Sequence, residues 1–238
     1  MLEGSQIMEY RNIVPGTFIK RPNRFIAHVE TAEGVQVCHV KNTGRCKELL
    51  VPGCTVYLEE SDNPKRKTRF DLIAVEKARE GASPLLINMD SQAPNKVFGE
   101  WAAAGNLRPG LTLLRPETTF GNSRFDYYWE DSEKRGFVEI KGVTLEENGV
   151  VRFPDAPTER GVKHIEELIL AHKAGYEAAL CFIVQMEGMK WVEPNDVTHP
   201  AFGEALRKAA KAGVNVIALE CHVTPGTLEA VRALPVHL

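Results

Sequence analysis

The chain has 238 residues, with 29 Lys and Arg against 32 Asp and Glu, a formal net charge of −3. Hydrophobic residues make up 43% and charged residues 26%, the proportions of an ordinary globular protein, which exclude a disordered chain. No apolar run of about 18 residues exists, which excludes a transmembrane helix, and the first residues lack the apolar core of a secretory signal. Met8 is a second candidate start, with residues 1–7 an extension outside the fold. The five cysteines (Cys38, Cys46, Cys54, Cys181 and Cys221) are odd in number and form no C-x-x-C, so a disulfide framework is not indicated and a cytoplasmic setting is expected. Cys38, Cys46 and Cys54 are evenly spaced, but the spacing matches no zinc pattern. They are expected to be small, buried apolar residues.

Charge divides the chain near Pro84: residues 1–84 hold 13 basic and 11 acidic residues, and residues 85–238 hold 16 and 21. The first part reads as five short strands at 17–20, 24–29, 35–40, 55–58 and 70–75, with a short helix at 45–50. Turn residues at such spacing predict a small β-barrel, and an oligonucleotide-binding (OB-like) barrel over 1–84 fits the size and strand count. Asn63-Pro64 marks a turn that opens the densest basic cluster, Lys65, Arg66, Lys67 and Arg69. Such a run reads either as a solvated loop or as a contact to phosphates. Arg24 would add to the same sequence-independent grip. Phe18, Phe25 and Tyr57 are candidates for stacking on bases, but their neighbours predict core positions.

Residues 85–238 predict an α/β domain: a helix near 91–105, strands at 111–114, 124–129 and 136–143, a long helix at 158–174, a strand at 178–184, a helix at 201–212 and a strand at 215–219. Thr158 is the expected N-cap of the long helix and Gly175 its stop. Ile165, Leu168, Ile169 and His172 fall on one helical face, and His164, beside that stripe, reads as a packed or capping histidine.

The chemistry lies in the strands. Asp126 sits in an aromatic strand, and thirteen residues later Glu139 and Lys141 stand two apart, on one face of the next strand. If those strands pair, Asp126 lies near Glu139. Two adjacent carboxylates repel, and Mg²⁺ or Mn²⁺ would relieve that conflict, since Mg²⁺ is commonly held by one or two carboxylates plus substrate phosphates. Lys141 would then stabilise charge growing on a phosphate or position the attacking water. Glu117, on the preceding strand, is a candidate further ligand, or else an acid paired with Arg115 or Arg124. Arg124, Arg160 and Lys163 are candidates for flanking phosphate contacts, or for structural salt bridges. Acid-x-Lys is too short to be specific by itself, and the same residues would also make a salt-bridge ladder on an exposed sheet face.

The arrangement Asp126…Glu139-x-Lys141 resembles the PD-(D/E)xK nuclease superfamily, although Phe125 rather than Pro precedes Asp126. Pro154-Asp155 has no acid-x-Lys after it, and Asp155 is expected to help start the long helix. From about residue 10 to the end, the chain resembles the sugar fermentation stimulation protein A family. The resemblance is carried by Arg21-Pro-Asn-Arg-Phe25, His39-Val-Lys-Asn-Thr-Gly44, Ser61-Asp-Asn-Pro-Lys-Arg-Lys67, Ser123-Arg-Phe-Asp126, Val138-Glu-Ile-Lys-Gly-Val-Thr-Leu145 and Phe153-Pro-Asp-Ala-Pro-Thr-Glu-Arg-Gly-Val-Lys-His164. It implies an OB-like N-terminal barrel, a nuclease-like C-terminal domain, non-specific DNA binding and a link to regulation of sugar (maltose) metabolism. The expected activity is a Mg²⁺- or Mn²⁺-dependent phosphodiesterase on DNA, with Asp126, Glu139 and Lys141 catalytic. The alternatives are a non-catalytic DNA-binding regulator on the same scaffold, or action on RNA or a small phosphate ester. No membrane partner is expected, and no helix-turn-helix is evident.

Overall fold

The computed structural model describes residues 7–42 and 44–238, so most of the extension expected before Met8 lies outside the described residues. Strand β1 (Met8–Glu9) begins the chain's second sheet, not its first. The N-terminal barrel is built from β2 (Ile13–Asn23), β3 (Ile26–Thr31), β4 (Gly34–Val40), β5 (Thr55–Glu60) and β6 (Phe70–Arg79). β2, β3 and β4 form an antiparallel meander, β5 returns beside β2, and β6 closes the ring by pairing with β5 and, in parallel, with β4. The inward residues alternate with less buried ones: Ala27 and Val29 of β3, Cys38 and Val40 of β4, and Val56 and Leu58 of β5 are buried, as a closed sheet requires.

Two expectations are corrected in this part. The helix expected at 45–50 is a single turn, in which Leu49 and Leu50 both donate backbone N–H groups to the Cys46 carbonyl; Pro52 lies too close for it to propagate. Strand β7 (Ala82–Asn88) pairs with β6, so the barrel sheet runs past the expected break at Pro84. Cys38 and Cys46 are buried and Cys54 half-buried, all as free thiols, and burial pushes Cys38 and Cys46 up to about 12. Those thiols are packing residues.

The second domain starts with α1 (Ala93–Ala103) and the antiparallel strands β8 (Leu113–Phe120), β9 (Ser123–Glu130) and β10 (Arg135–Val143). A small three-stranded sheet follows, from β11 (Glu146–Glu147), β12 (Val150–Phe153) and β14 (Trp191–Pro194). The sequence reading lacked it, because its strands are only 2 to 4 residues long. Helix α2 (Glu159–Lys173) leads to β13 (Glu177–Val184), and α3 (Pro200–Lys211) to β15 (Asn215–Thr224) and β16 (Thr227–Leu234). The main sheet has seven strands in the order β1-β16-β15-β13-β10-β9-β8.

β13 is apolar on both faces and buried along most of its length, the pattern of a central parallel strand. It pairs in parallel with β10 and β15. One face packs against α1 through Val138, Ile140, Cys181 and Ile183. The other packs through Phe137, Leu180 and Phe182 with Ile165 and Leu168 of α2 and Phe202 of α3. The Thr158 side chain accepts the Gly161 N–H at 3.1 Å and caps α2; Gly175, at φ +90°, ends it. Asp155 does not cap the helix. Its carboxylate lies against Gly44 of the barrel, where an added Cβ would come within 2.8 Å of Asp155 Oδ2. Among the described residues, no helix is long and apolar enough to cross a membrane.

Candidate functional site

The hairpin of β9 and β10 brings the acids together by failing to stay paired. Register runs from Arg135 opposite Glu130 to Val138 opposite Tyr127 and then stops. Beyond that point Asp126 Oδ2 accepts the Ile140 backbone N–H at 2.7 Å. The carboxylate takes the place of the next ladder carbonyl, so the strands part with no amide left unsatisfied there. Asp126 Oδ1 accepts from Asn95 Nδ2 of α1 at 2.8 Å. The helix is held at this spot by the Tyr127 hydroxyl, which donates to the Asn95 carbonyl at 3.0 Å. Gly142 makes the close approach possible: a Cβ there would come within 2.6 Å of both Pro94 of α1 and Gln185 Oε1.

Glu139 is 3% exposed. Its Oε1 accepts from Lys141 Nζ at 2.5 Å and is also hydrogen-bonded to His164 Nδ1 of α2. Its Oε2 is buried without a hydrogen-bond partner among the described residues. Burial pushes the Glu139 carboxyl upward, but the His164 bond and Lys141 outweigh it and hold Glu139 below the usual carboxylate range. For Asp126, burial and then the nearby charge of Glu139 act together and raise it. The two acids are therefore electrostatically coupled, one held as a carboxylate and the other strained toward its proton.

An orphaned buried carboxylate oxygen next to a second, destabilised carboxylate is a donor set suited to a hard divalent cation. Among the described residues, no three His, Cys, Asp or Glu side chains converge as ready-made metal ligands, so a cation here would need water or substrate oxygens to complete its shell. Asp126 and Glu139 fit that role, with Lys141 beside them.

The remaining sequence candidates separate clearly. Glu117 is not brought to the acidic pair: it lies on β8 at φ +52°, exposed, 3.5 Å from Arg124. Arg124 is thereby half of a surface pair. Arg160 and Lys163 are exposed on α2; Arg160 Nε reaches His164 Nε2 at 3.4 Å, and Lys163 donates to the Asn122 carbonyl at 3.3 Å. In the basic loop, Arg66 grips the buried Asp71 with two bonds of 2.7 and 2.5 Å, and Arg69 pairs with Glu60 and Glu33. Only Lys65 and Lys67 point to solvent without an acidic partner there. Arg24 is exposed, its guanidinium 5.7 Å from the Phe25 ring centre.

His164 and Asn95 were not among the expected site residues. His164 is packed, as expected, edge-on to Phe125, but its imidazole also orients Glu139. The available signal was its place one turn before Leu168 on the buried face of α2. Asn95 gave no signal, since its role depends on where α1 docks.

Comparisons with known proteins agree with this architecture. The family description "SfsA N-terminal OB domain" matches residues 19–83, and "Sugar fermentation stimulation protein RE domain" matches residues 92–227. A sugar fermentation stimulation protein homolog of Ruminiclostridium cellulolyticum is 54% identical over 231 residues, 97% of this chain and 100% of that one. Another, from Clostridium beijerinckii, is 55% identical over 216 residues, 91% of this chain and 93% of that one. The structure of Pyrococcus furiosus SfsA in complex with Ca²⁺ matches with a TM-score of 0.86 at 30% identity, covering 98% of this chain and 99% of that one. With an OB barrel followed by a mixed α/β domain, and with relatives that align over nearly its whole length, the chain belongs to the sugar fermentation stimulation protein family.

Proposed function

We propose that this protein is a divalent-cation-dependent phosphodiesterase that acts on nucleic acid without sequence preference, within the sugar-related role its relatives' name denotes. The observation that carries the reading is the buried, unpartnered Glu139 Oε2 beside the destabilised carboxylate of Asp126. Asp126 and Glu139 would hold Mg²⁺ or Mn²⁺. Support comes from the Pyrococcus furiosus relative, described in complex with Ca²⁺, an ion that takes the same class of oxygen ligands. The chemistry such an ion supplies is charge neutralisation at a phosphate and a lowered pKa for a bound water.

The chain's own residues do the rest. His164 and Lys141 fix the Glu139 carboxylate in one orientation through its Oε1, leaving the buried Oε2 without a partner among the described residues. Asn95 and the Ile140 amide fix Asp126 in the same way. Lys141, only partly exposed, keeps a positive charge where the phosphate's charge grows.

The test is cleavage of plasmid and single-stranded DNA in Mg²⁺ or Mn²⁺, with EDTA as control, by wild type, Glu139→Gln and Lys141→Ala. Ion-dependent cleavage present only in wild type is expected. Equal cleavage by all three, or none by wild type, overturns the reading. One observation favours a second reading, a non-catalytic nucleic-acid-binding regulator: Glu139 Oε1 is already engaged by Lys141 and His164. That reading requires wild type and both variants to bind DNA equally and to cut none.

A further inference from the structure

Of the chain's 10 Phe, 5 Tyr and 3 Trp, Phe25 alone is exposed; it presents half of its surface to solvent. It stands at the tip of the hairpin joining β2 and β3. A single exposed ring is unremarkable by itself, but this one has unusual surroundings. Arg24 lies over it, 5.7 Å from the ring centre, and also lines a groove of about 480 Å³ on the barrel. The groove holds Lys20, Arg21, Arg24, Arg45 and Lys47, with no acidic residue in its lining. Four of these five cations are exposed, and among the described residues none of the five is paired with an Asp or Glu. The basic loop at 65–69 differs sharply, because both of its arginines are spent on carboxylates.

The fifth cation arranges the others. Arg21 donates to the carbonyls of Arg24 at 2.6 Å, Asn42 at 2.6 Å and Arg45 at 2.7 Å. Asn23 Oδ1 accepts the backbone N–H groups of Phe25 and Ile26 and locks the turn. The Phe25 carbonyl is tied to the Val40 N–H at 2.8 Å. The backbone that carries the ring and its neighbouring cations is therefore set before any ligand arrives, which lowers the ordering cost of binding. An exposed aromatic face for a base, joined through Arg24 to a groove of unpaired cations for the adjoining phosphates, is the arrangement used for single-stranded nucleic acid. In a duplex the base faces are stacked on each other and closed to such a ring.

The position suits the proposed site. Asn42 and Gly44, beside the segment that Arg21 pins, also line a cleft of about 340 Å³ between the domains. Gly142 and Val143, immediately after Lys141, and Thr158, the cap of the helix carrying His164, line the same cleft. Arg21, in the basic groove, is thus bonded directly to Asn42, in the lining of that cleft.

We propose that Phe25, with Lys20, Arg24, Arg45 and Lys47, is a stacking platform for single-stranded nucleic acid, and that it feeds a strand toward the interdomain cleft. This rests on the reading that nucleic acid is the substrate, and it names the strandedness of that substrate.

The test is fluorescence anisotropy in EDTA, where no cutting intervenes, using a labelled oligothymidylate of about 15 nucleotides and a duplex of equal length. Phe25→Ala is expected to weaken single-strand binding about tenfold and to leave duplex binding within about twofold. Phe25→Trp is expected to retain single-strand affinity. A Lys20→Ala, Arg45→Ala, Lys47→Ala triple variant is expected to lower both affinity and the salt dependence of single-strand binding. Unchanged single-strand affinity in Phe25→Ala overturns the platform, and so does an equal loss on duplex and single strand. Phe25 is exposed and its backbone bonds do not involve its ring, so an unaltered melting curve verifies the fold of each variant. Loss of cleavage in Glu139→Gln with an intact Phe25 effect separates the two proposals, as does the converse.

Discussion

Asp126 Oδ2 accepts the backbone N–H of Ile140 at 2.7 Å, so a carboxylate that the charge of Glu139 pushes upward doubles as the group that ends the β9–β10 ladder. Structure and charge pull this residue in opposite ways. The hydrogen bond needs an acceptor, which an amide also supplies, whereas holding a cation needs the negative charge. Asp126→Asn is therefore expected to fold with stability equal to or above wild type, since it removes repulsion with Glu139, and to lose ion-dependent cleavage. Asp126→Ala leaves the Ile140 amide unpaired and is expected to lose about 1–3 kcal/mol. Urea unfolding in EDTA distinguishes the two, and a destabilised Asn variant would show that the charge itself holds the strands.

Cation binding can be measured apart from catalysis. A ligand that binds only the folded chain stabilises it by about 2.7 kcal/mol at a hundredfold excess over its Kd. Thermal melting in Mn²⁺ or Ca²⁺ is expected to rise relative to EDTA for wild type. The rise should vanish in Glu139→Gln and Asp126→Asn but persist in Arg124→Ala, whose side chain pairs on the surface with Glu117. Equal shifts in all four proteins would place the ion elsewhere.

Asp71 makes acid stability a property of the barrel. Burial alone would raise its carboxyl, but Arg66, His39 and Lys41 outweigh burial and hold it below its ordinary value near 3.8. A carboxyl lowered by folding contributes stability above the unfolded-state value and loses it as the pH falls through the folded-state value. Asp71→Asn is thus expected to be less stable than wild type at neutral pH by about 1–3 kcal/mol, with the gap closing below about pH 4. A gap independent of pH, in urea titrations over that range, would show that packing rather than charge is responsible.

What the sequence disclosed follows from which interactions are local. Thr158 and Gly175 bound α2 because capping involves neighbours in the chain, and the apolar run of β13 declares a strand covered on both faces. The acids at 126 and 139 were readable as a pair because one hairpin carries both. Glu117 was not separable from them, since its positive φ turns it toward Arg124 and nothing in its neighbours marks that bend. Phe25 was misplaced in the core for a similar reason: β-strand alternation predicts inward and outward positions, but the turn at Asn23 places Phe25 at a hairpin tip. The bonds of His164 to Glu139 and of Asn95 to Asp126 depend on docking between segments 25 and 31 residues apart, so even where a helical stripe marks His164 as buried, its partner is not encoded locally.

The basic loop offers a final, separable prediction. Lys65 and Lys67 are its only basic side chains free of carboxylates among the described residues, so a Lys65→Ala, Lys67→Ala variant can remove at most two phosphate contacts. Each contact to duplex DNA is worth about 0.9 in the slope of log affinity against log salt, so the slope should fall by no more than about 2. Stability should be unaltered, because neither side chain is paired. Arg66→Ala is a different case: it strips two bonds from the buried Asp71 carboxylate, and the expected loss is in unfolding free energy, about 1–3 kcal/mol, with little change in the salt slope. Anisotropy across a potassium chloride series, paired with urea unfolding, separates the two effects. An unchanged slope in the double lysine variant removes its two lysines from any nucleic-acid interface, and a fall in the slope of Arg66→Ala would mean that Arg66 leaves Asp71 when a phosphate arrives.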